Sequence, residues 1–205
     1  MYRILLLLLF LPTMGFAQEE KKDATEEEVN AAYDSLQKVD GQYEYTEVVL
    51  LDSTYKKDML YRNAKLFFAN ISKSAKDVLQ YDEREEGRVI GKGSFQLTGH
   101  QSILLSTVTE TRITNYTLEI SCKDGRYKYR LYGFSSDFTS SQMDKGKQGR
   151  ISNGTLTMDE AYARTEKGGT KKMERNLFLA TLTEIKSAQA LLKEFMRKKP
   201  SKDDF

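Results

Sequence analysis

Residues 87–97, GRVIGKGSFQL, admit two readings that lead to different folds. As a glycine-rich phosphate loop, the segment would join a strand to a helix in a nucleotide-binding α/β protein. As a strand, it would place Val89, Gly91, Gly93, Phe95 and Leu97 on one side and Arg88, Ile90, Lys92, Ser94 and Gln96 on the other. A phosphate loop needs two glycines separated by four residues, then Lys and Ser or Thr. Here three residues separate Gly87 from Gly91, Gly93 stands where a hydroxyl should hold magnesium, and another strand follows. An extended backbone cannot converge its amides on a phosphate, so the strand reading prevails. Glycines in a strand then mark close packing, a bulge or a bend. A helix crossing over Gly91 and Gly93 would have room to approach the sheet.

The flanking patterns fit a sheet. Upstream, residues 78–81 read as a strand and Asp82 to Glu86 as a charged turn. Leu60, Ala64, Phe67, Phe68 and Ile71 share one face of a helix predicted over 56–72. Residues 43–51, YEYTEVVLL, are rich in aromatic and β-branched residues and read as a strand. Thr25 and Glu28 form a capping box for a first helix, with Val29, Ala32, Leu36 and Val39 at helical spacing, ending before Asp40-Gly41.

Downstream, residues 103–109 read as a strand or a strand-like connection, and 112–122 as a clearer strand. Lys123-Asp124-Gly125-Arg126 is a hairpin turn, because Asp-Gly suits its backbone. The return strand, YKYRLYGF, alternates Tyr127, Tyr129, Leu131 and Gly133 with Arg126, Lys128, Arg130 and Tyr132. Residues 135–156, rich in Ser, Gly and Lys, are expected to be a long loop, either functional or mobile. Thr157 and Glu160 would cap a short helix, and a long helix is predicted over 174–197. Strands with helices on one face imply an α+β fold with a mainly antiparallel sheet. The other sheet face would be open or covered by the 135–156 loop.

The first residues, MYRILLLLLFLPTMGFAQ, put Arg3 before an apolar run that ends at Pro12, with Gly15 and Ala17 at the −3 and −1 places. This is the pattern of a cleavable signal peptide over residues 1–17, cut between Ala17 and Gln18. The run is shorter than the about 20 apolar residues of a spanning helix. The expected location is therefore periplasmic or secreted, with no transmembrane helix after cleavage. The remainder divides into a polar segment with a short helix over 18–42, an α+β domain over 43–197 and a tail over 198–205. The whole chain has 205 residues and a formal net charge of +2. Loss of Arg3 leaves a near-neutral balance, which gives no drive toward nucleic acid. The single cysteine, Cys122, permits no internal disulfide and reads as a buried strand thiol.

Three stretches together, LYRNAKLFFA (60–69), DVLQYDEREEGRVIGKG (77–93) and YTLEISCKDGRYKYRLYGF (116–134), resemble a Bacteroidetes family of secreted proteins. That family is classed as a domain of unknown function with a TATA-binding-protein-like (TBP-like) fold. The resemblance implies a sheet with two helices on one face and an exported location. It supplies no activity, cofactor or active-site residue, because a shared fold does not carry a function.

Candidate sites come from the residues themselves. Alternation places Arg126, Lys128 and Arg130 on one face of one strand, and Arg88 and Lys92 on the polar face of another. If those faces coincide, the open sheet carries a basic strip with Tyr132, or an ordinary solvated face neutralised by Glu119 and other acids. In the TATA-binding protein such a surface meets the minor groove. For an exported protein the expected partner is an anionic glycan, a lipid head group or an acidic protein. The leading expectation is a non-catalytic binding or interaction domain of the envelope. A small hydrolase built from Asp82, Glu85 and His100, or a structural component of an envelope assembly, are the alternatives. No cofactor is implied, and one histidine with one cysteine writes no zinc site. Asp34-Ser35-Leu36 and Asp52-Ser53-Thr54 match a short bacterial O-glycan pattern, and Asn70, Asn115 and Asn153 open N-glycan triplets. Such three-residue matches carry little weight.

Overall fold

The computed structural model describes residues 23–71, 78–144 and 149–199. The predicted signal peptide and the last six residues of the tail lie outside them. In chain order the elements are α1 (Glu26–Asp34), β1 (Lys38–Val39), β2 (Gln42–Leu50), α2 (Lys57–Ile71), β3 (Leu79–Glu83), β4 (Arg88–Ile103), β5 (Ser106–Lys123), β6 (Arg126–Asp144), β7 (Arg150–Leu156), α3 (Met158–Arg164) and α4 (Lys171–Met196). The strands form one seven-stranded antiparallel sheet in the order β1-β2-β6-β5-β4-β3. β7 pairs with the second half of β6, continuing the edge that β2 occupies along the first half. The expected α+β class and mainly antiparallel sheet are what the chain forms.

Gly87 closes the turn before β4, and RVIGKGSFQL is the first part of that strand. Its odd-numbered residues face the helices. Val89 is fully buried there, and a Cβ on Gly91 would lie 2.5 Å from Phe68 Cε1 of α2. The bare backbone at Gly91 is what lets the Phe68 ring lie on the sheet. Phe67, Phe68, Leu118, Ile120, Tyr127, Tyr129 and Leu192 build the main core between α2, the C-terminal part of α4 and the sheet. Two remote contacts fix α2. The Lys57 amide donates to Asp124 Oδ1 at 2.7 Å, so the β5–β6 turn caps its start, and Asn63 Nδ2 donates to the Lys198 carbonyl at 2.7 Å beyond the end of α4.

Several boundaries differ from the sequence reading. The first helix stops at Asp34. Lys38 and Val39 pair instead with β2 across a turn in which Asp40 and Gly41 have φ of 51° and 79°. α1 packs through Val29 onto Met158, Ala161, Phe178 and Ile185, which ties it to α3 and α4. The expected 135–156 loop is mostly sheet: β6 runs on to Asp144 and β7 returns from Arg150, leaving the other face open. Its polarity comes from an exposed strand pair rather than from absence of structure. Residues 103–109 span the end of β4, a two-residue turn at Leu104-Leu105 and the start of β5.

β6 changes face midway. Between Tyr132 and Ser135 it carries one residue more than β5 does between Thr117 and Asn115, and Gly133 there has a φ of 67°. This is a glycine bulge. Tyr127, Tyr129 and Leu131 point toward the helices before it; Phe134, Ser136 and Phe138 do so after it.

Candidate functional site

The outer face near the β5–β6 turn is built in rows across the strands. Val48, Lys128, Ser121 and Arg88 form one row; Thr46, Arg130, Glu119 and Ile90 the next; Glu44, Tyr132, Thr117 and Lys92 a third. Arg126 lies beside Leu50 at the end. All six residues of the expected basic strip thus share one face. They do not share one electrostatic state. Arg130 makes two bonds to Glu44, at 2.9 and 2.7 Å, and lies 3.3 Å from Glu119; Arg88 Nε donates to Glu119 at 2.9 Å. Glu44 and Glu119 are buried. The Arg130 fork pulls the Glu44 carboxyl below its usual range, and Glu44 in turn raises the guanidinium further above its own. The guanidinium also lies over the Tyr132 ring, 5.0 Å from its centre. Arg88 and Arg130 are therefore fixed charges in a Glu-Arg-Glu-Arg chain, whereas Lys92, Arg126 and Lys128 have no ion pair among the described residues.

Asp82, Glu85 and His100 do not come together. Asp82 pairs with Val89 on the helix side of the sheet and bonds Tyr61 and Lys65, the latter at 2.7 Å. His100 lies eleven residues further along β4, on the outer face, with Nδ1 3.0 Å from Thr109 Oγ1. At about 3.3 Å per residue that is some 30 Å or more along the strand. The charged turn narrows to residues 84–87, and Arg84 there pairs with Asp58 at 3.2 Å. No group of three or more His, Cys, Asp or Glu side chains among the described residues is arranged to hold a metal ion.

Two clusters escaped the sequence reading. Under the second half of the sheet, Glu110, Arg112 and Glu174 are almost fully buried. Arg112 bonds both carboxylates, with Nε 2.6 Å from Glu110. Arg164, half-buried, bonds Glu110 at 2.6 Å and makes a charge contact of the same length with Glu174. Two acids and two arginines thus close a ring that ties α3 and α4 to β5. Beside α1, Asp159 accepts from the hydroxyls of Tyr33 and Tyr43 and pairs with Lys38 at 3.1 Å, while Tyr33 stacks on Tyr162 with ring centres 3.7 Å apart. Those two hydroxyls hold the Asp159 carboxyl below its usual range. Inward charges have no period of their own, so only the parity of Glu110 and Arg112 with Leu118 and Ile120 could have placed the first cluster.

A groove of about 650 Å³ separates β4 from α4, with Leu97, His100, Met173, Asn176 and Ala180 among its walls. Beyond Gly91, the edge of β4 on that side has no strand partner among the described residues.

Residues 45–136 match a family described as "Domain of unknown function (DUF4468) with TBP-like fold". No curated protein matches the chain. Two solved structures resemble it in fold. One is a DUF4468 family protein from Bacteroides ovatus, with a TM-score of 0.52 and 11% identity, covering 82% of this chain and 93% of that one. The other is a TBP-like protein from Parabacteroides distasonis, with a TM-score of 0.53 and 11% identity, covering 80% of this chain and 99% of that one. At such identity the likeness speaks for the fold alone. Together with the antiparallel sheet and its helices on one face, these likenesses give the chain a TBP-like fold, within which residues 45–136 resemble the DUF4468 family.

Proposed function

We propose that this protein is an exported, non-catalytic binding domain of the bacterial envelope that holds an anionic partner against the open sheet face. The observation that carries the reading is the division of labour among the cations. Arg88 and Arg130 are held by buried carboxylates, while Lys92, Arg126 and Lys128 stand around them with no ion pair among the described residues, Lys128 acting on Glu44 only through its field. A rigid floor with unpaired cations costs little to organise on binding, and exposed cations give contacts that weaken with salt. An anionic glycan suits such an extended flat surface best, since it can bridge rows that lie about 5 Å apart across strands and about 7 Å apart along them.

The test is capture from envelope extract by residues 18–205, beside a Lys92→Glu, Arg126→Glu, Lys128→Glu variant. Arg130 stays intact, because a glutamate there would face Glu44 and unsettle the fold. Heparin and an acidic protein serve as defined probes. Heparin binding by the parent that falls with salt and disappears in the variant supports the reading. Equal binding by both removes the face as the site. Exposed Leu104 and Leu105 at the far end of the sheet favour a second role, contact with a surface.

A further inference from the structure

The tip of the β4–β5 hairpin contradicts the chemistry of its turn. Ile103 pairs with Ser106, so Leu104 and Leu105 alone make the connection. Tight hairpin turns favour Asn, Asp or Gly, because these tolerate positive φ. Leu104 occupies that region at 51°. A bulky residue held there is strained, and such strain persists where the side chain is needed for something other than the turn. Neither leucine packs on the protein: Leu104 is 101% exposed and Leu105 72%. On the adjoining outer face, Met143 is 64% and Ile151 76% exposed. The strain and the exposure thus coincide at one convex apolar point.

A cationic rim lies next to it. The Gly169 carbonyl accepts from Gln101 Nε2 at 2.6 Å, which ties the α3–α4 connection to the base of the hairpin. Lys167 and Lys171 stand two residues to either side, exposed and without an ion pair among the described residues. Two leucines at a hairpin tip, with Met143 and Ile151 on the adjoining face, fall short of the roughly 800 Å² per partner of a stable protein interface. A bilayer sets no such minimum. It accepts a protruding apolar tip at the headgroup boundary and rewards cations beside it when its lipids are anionic.

We propose that this tip is a membrane-docking element, with Leu104 and Leu105 seated in the headgroup boundary of an anionic bilayer and Lys167 and Lys171 on its phosphates. It is separate from the cationic field, which lies at the other end of β5. A protein docked by its tip leaves that face free for a partner.

Flotation of residues 18–205 with phosphatidylcholine vesicles, alone and mixed with phosphatidylglycerol, tests it. The expected result is binding to the mixed vesicles, reduced about tenfold or more by Leu104→Asn with Leu105→Ser, since two buried leucines supply most of the attachment. Asn accepts positive φ, so this variant keeps its fold. Lys167→Glu with Lys171→Glu removes the preference for phosphatidylglycerol. Arg126→Glu with Lys128→Glu leaves flotation unchanged, which separates this proposal from the binding face. Failure of the parent to float overturns the proposal, as does equal flotation of the leucine variant. A parent that ignores vesicles but forms a dimer, dissociated by the leucine substitutions, assigns the tip to a second copy of the chain instead.

Discussion

Gly91→Ala tests whether the glycines of GRVIGKGS serve packing. The new Cβ would meet Phe68 Cε1 at 2.5 Å, Cδ1 at 2.9 Å and Cζ at 3.1 Å. Carbon atoms in good contact are about 3.5–4.0 Å apart, so the overlap approaches 1 Å or more. Phe68 cannot yield easily: it is fully buried and packs edge-on against Phe67, with ring centres 5.7 Å apart. Overpacking of this kind costs about 1–3 kcal/mol. Against it stands a gain of about 0.4–1 kcal/mol from a less flexible unfolded chain. The net expectation is a loss of about 1–2 kcal/mol, or roughly 2–8 °C in Tm for a chain of this size. Urea unfolding followed by circular dichroism measures it. Phe68→Leu trims the ring, so the double variant Gly91→Ala, Phe68→Leu should be more stable than the two separate losses add up to. A neutral or stabilising Gly91→Ala, or strict additivity, refutes the packing account.

Other outcomes follow from the two buried clusters and the thiol. Arg112→Met leaves Glu110 and Glu174 buried with Arg164 alone, and should cost about 3–5 kcal/mol in the same assay; a loss below about 1 kcal/mol would mean that the ring opens to water. Asp159 has a depressed folded pKa, so its stabilisation is complete above the ordinary aspartate range and is lost as pH falls through the folded value. Urea midpoints of the parent should therefore fall more steeply in acid than those of Asp159→Asn, and parallel curves would deny Asp159 that role. Burial pushes the Cys122 thiol up to about 12, so the native protein should not react with a disulfide reagent at pH 8, and one thiol should appear on unfolding. Rapid reaction of the native protein would show that β5 opens locally.

The parts of the fold visible in the sequence are those where burial imposes a period. Val89 to Leu97 alternate because α2 and α4 lie on one side only, and Leu60 to Ile71 keep a helical stripe for the same reason. Strand parity also placed Arg88, Lys92, Arg126, Lys128, Arg130 and Tyr132 on a common face. It could not say which of them meets Glu44, a residue on β2 more than eighty positions from Arg130. The second half of β6 and β7 stayed hidden because both their faces are largely polar, so Ser136 and Phe138 alternate too weakly with Asp137 and Thr139. The Leu104-Leu105 turn read as strand because its residues favour strands and break the usual turn chemistry.

Gly133 has a consequence for how this chain can change in length. It is exposed, lies in a strand and touches little, so it looks like a position where one residue more or fewer would pass unnoticed. Side chains alternate beyond it, however, and a single deletion would exchange inside for outside over the rest of β6. Asp137 would turn in beneath the helices, and Phe138 would leave Arg164 for water. Substitution at this glycine is a local matter, whereas a change of length there is a frame shift written in space rather than in codons.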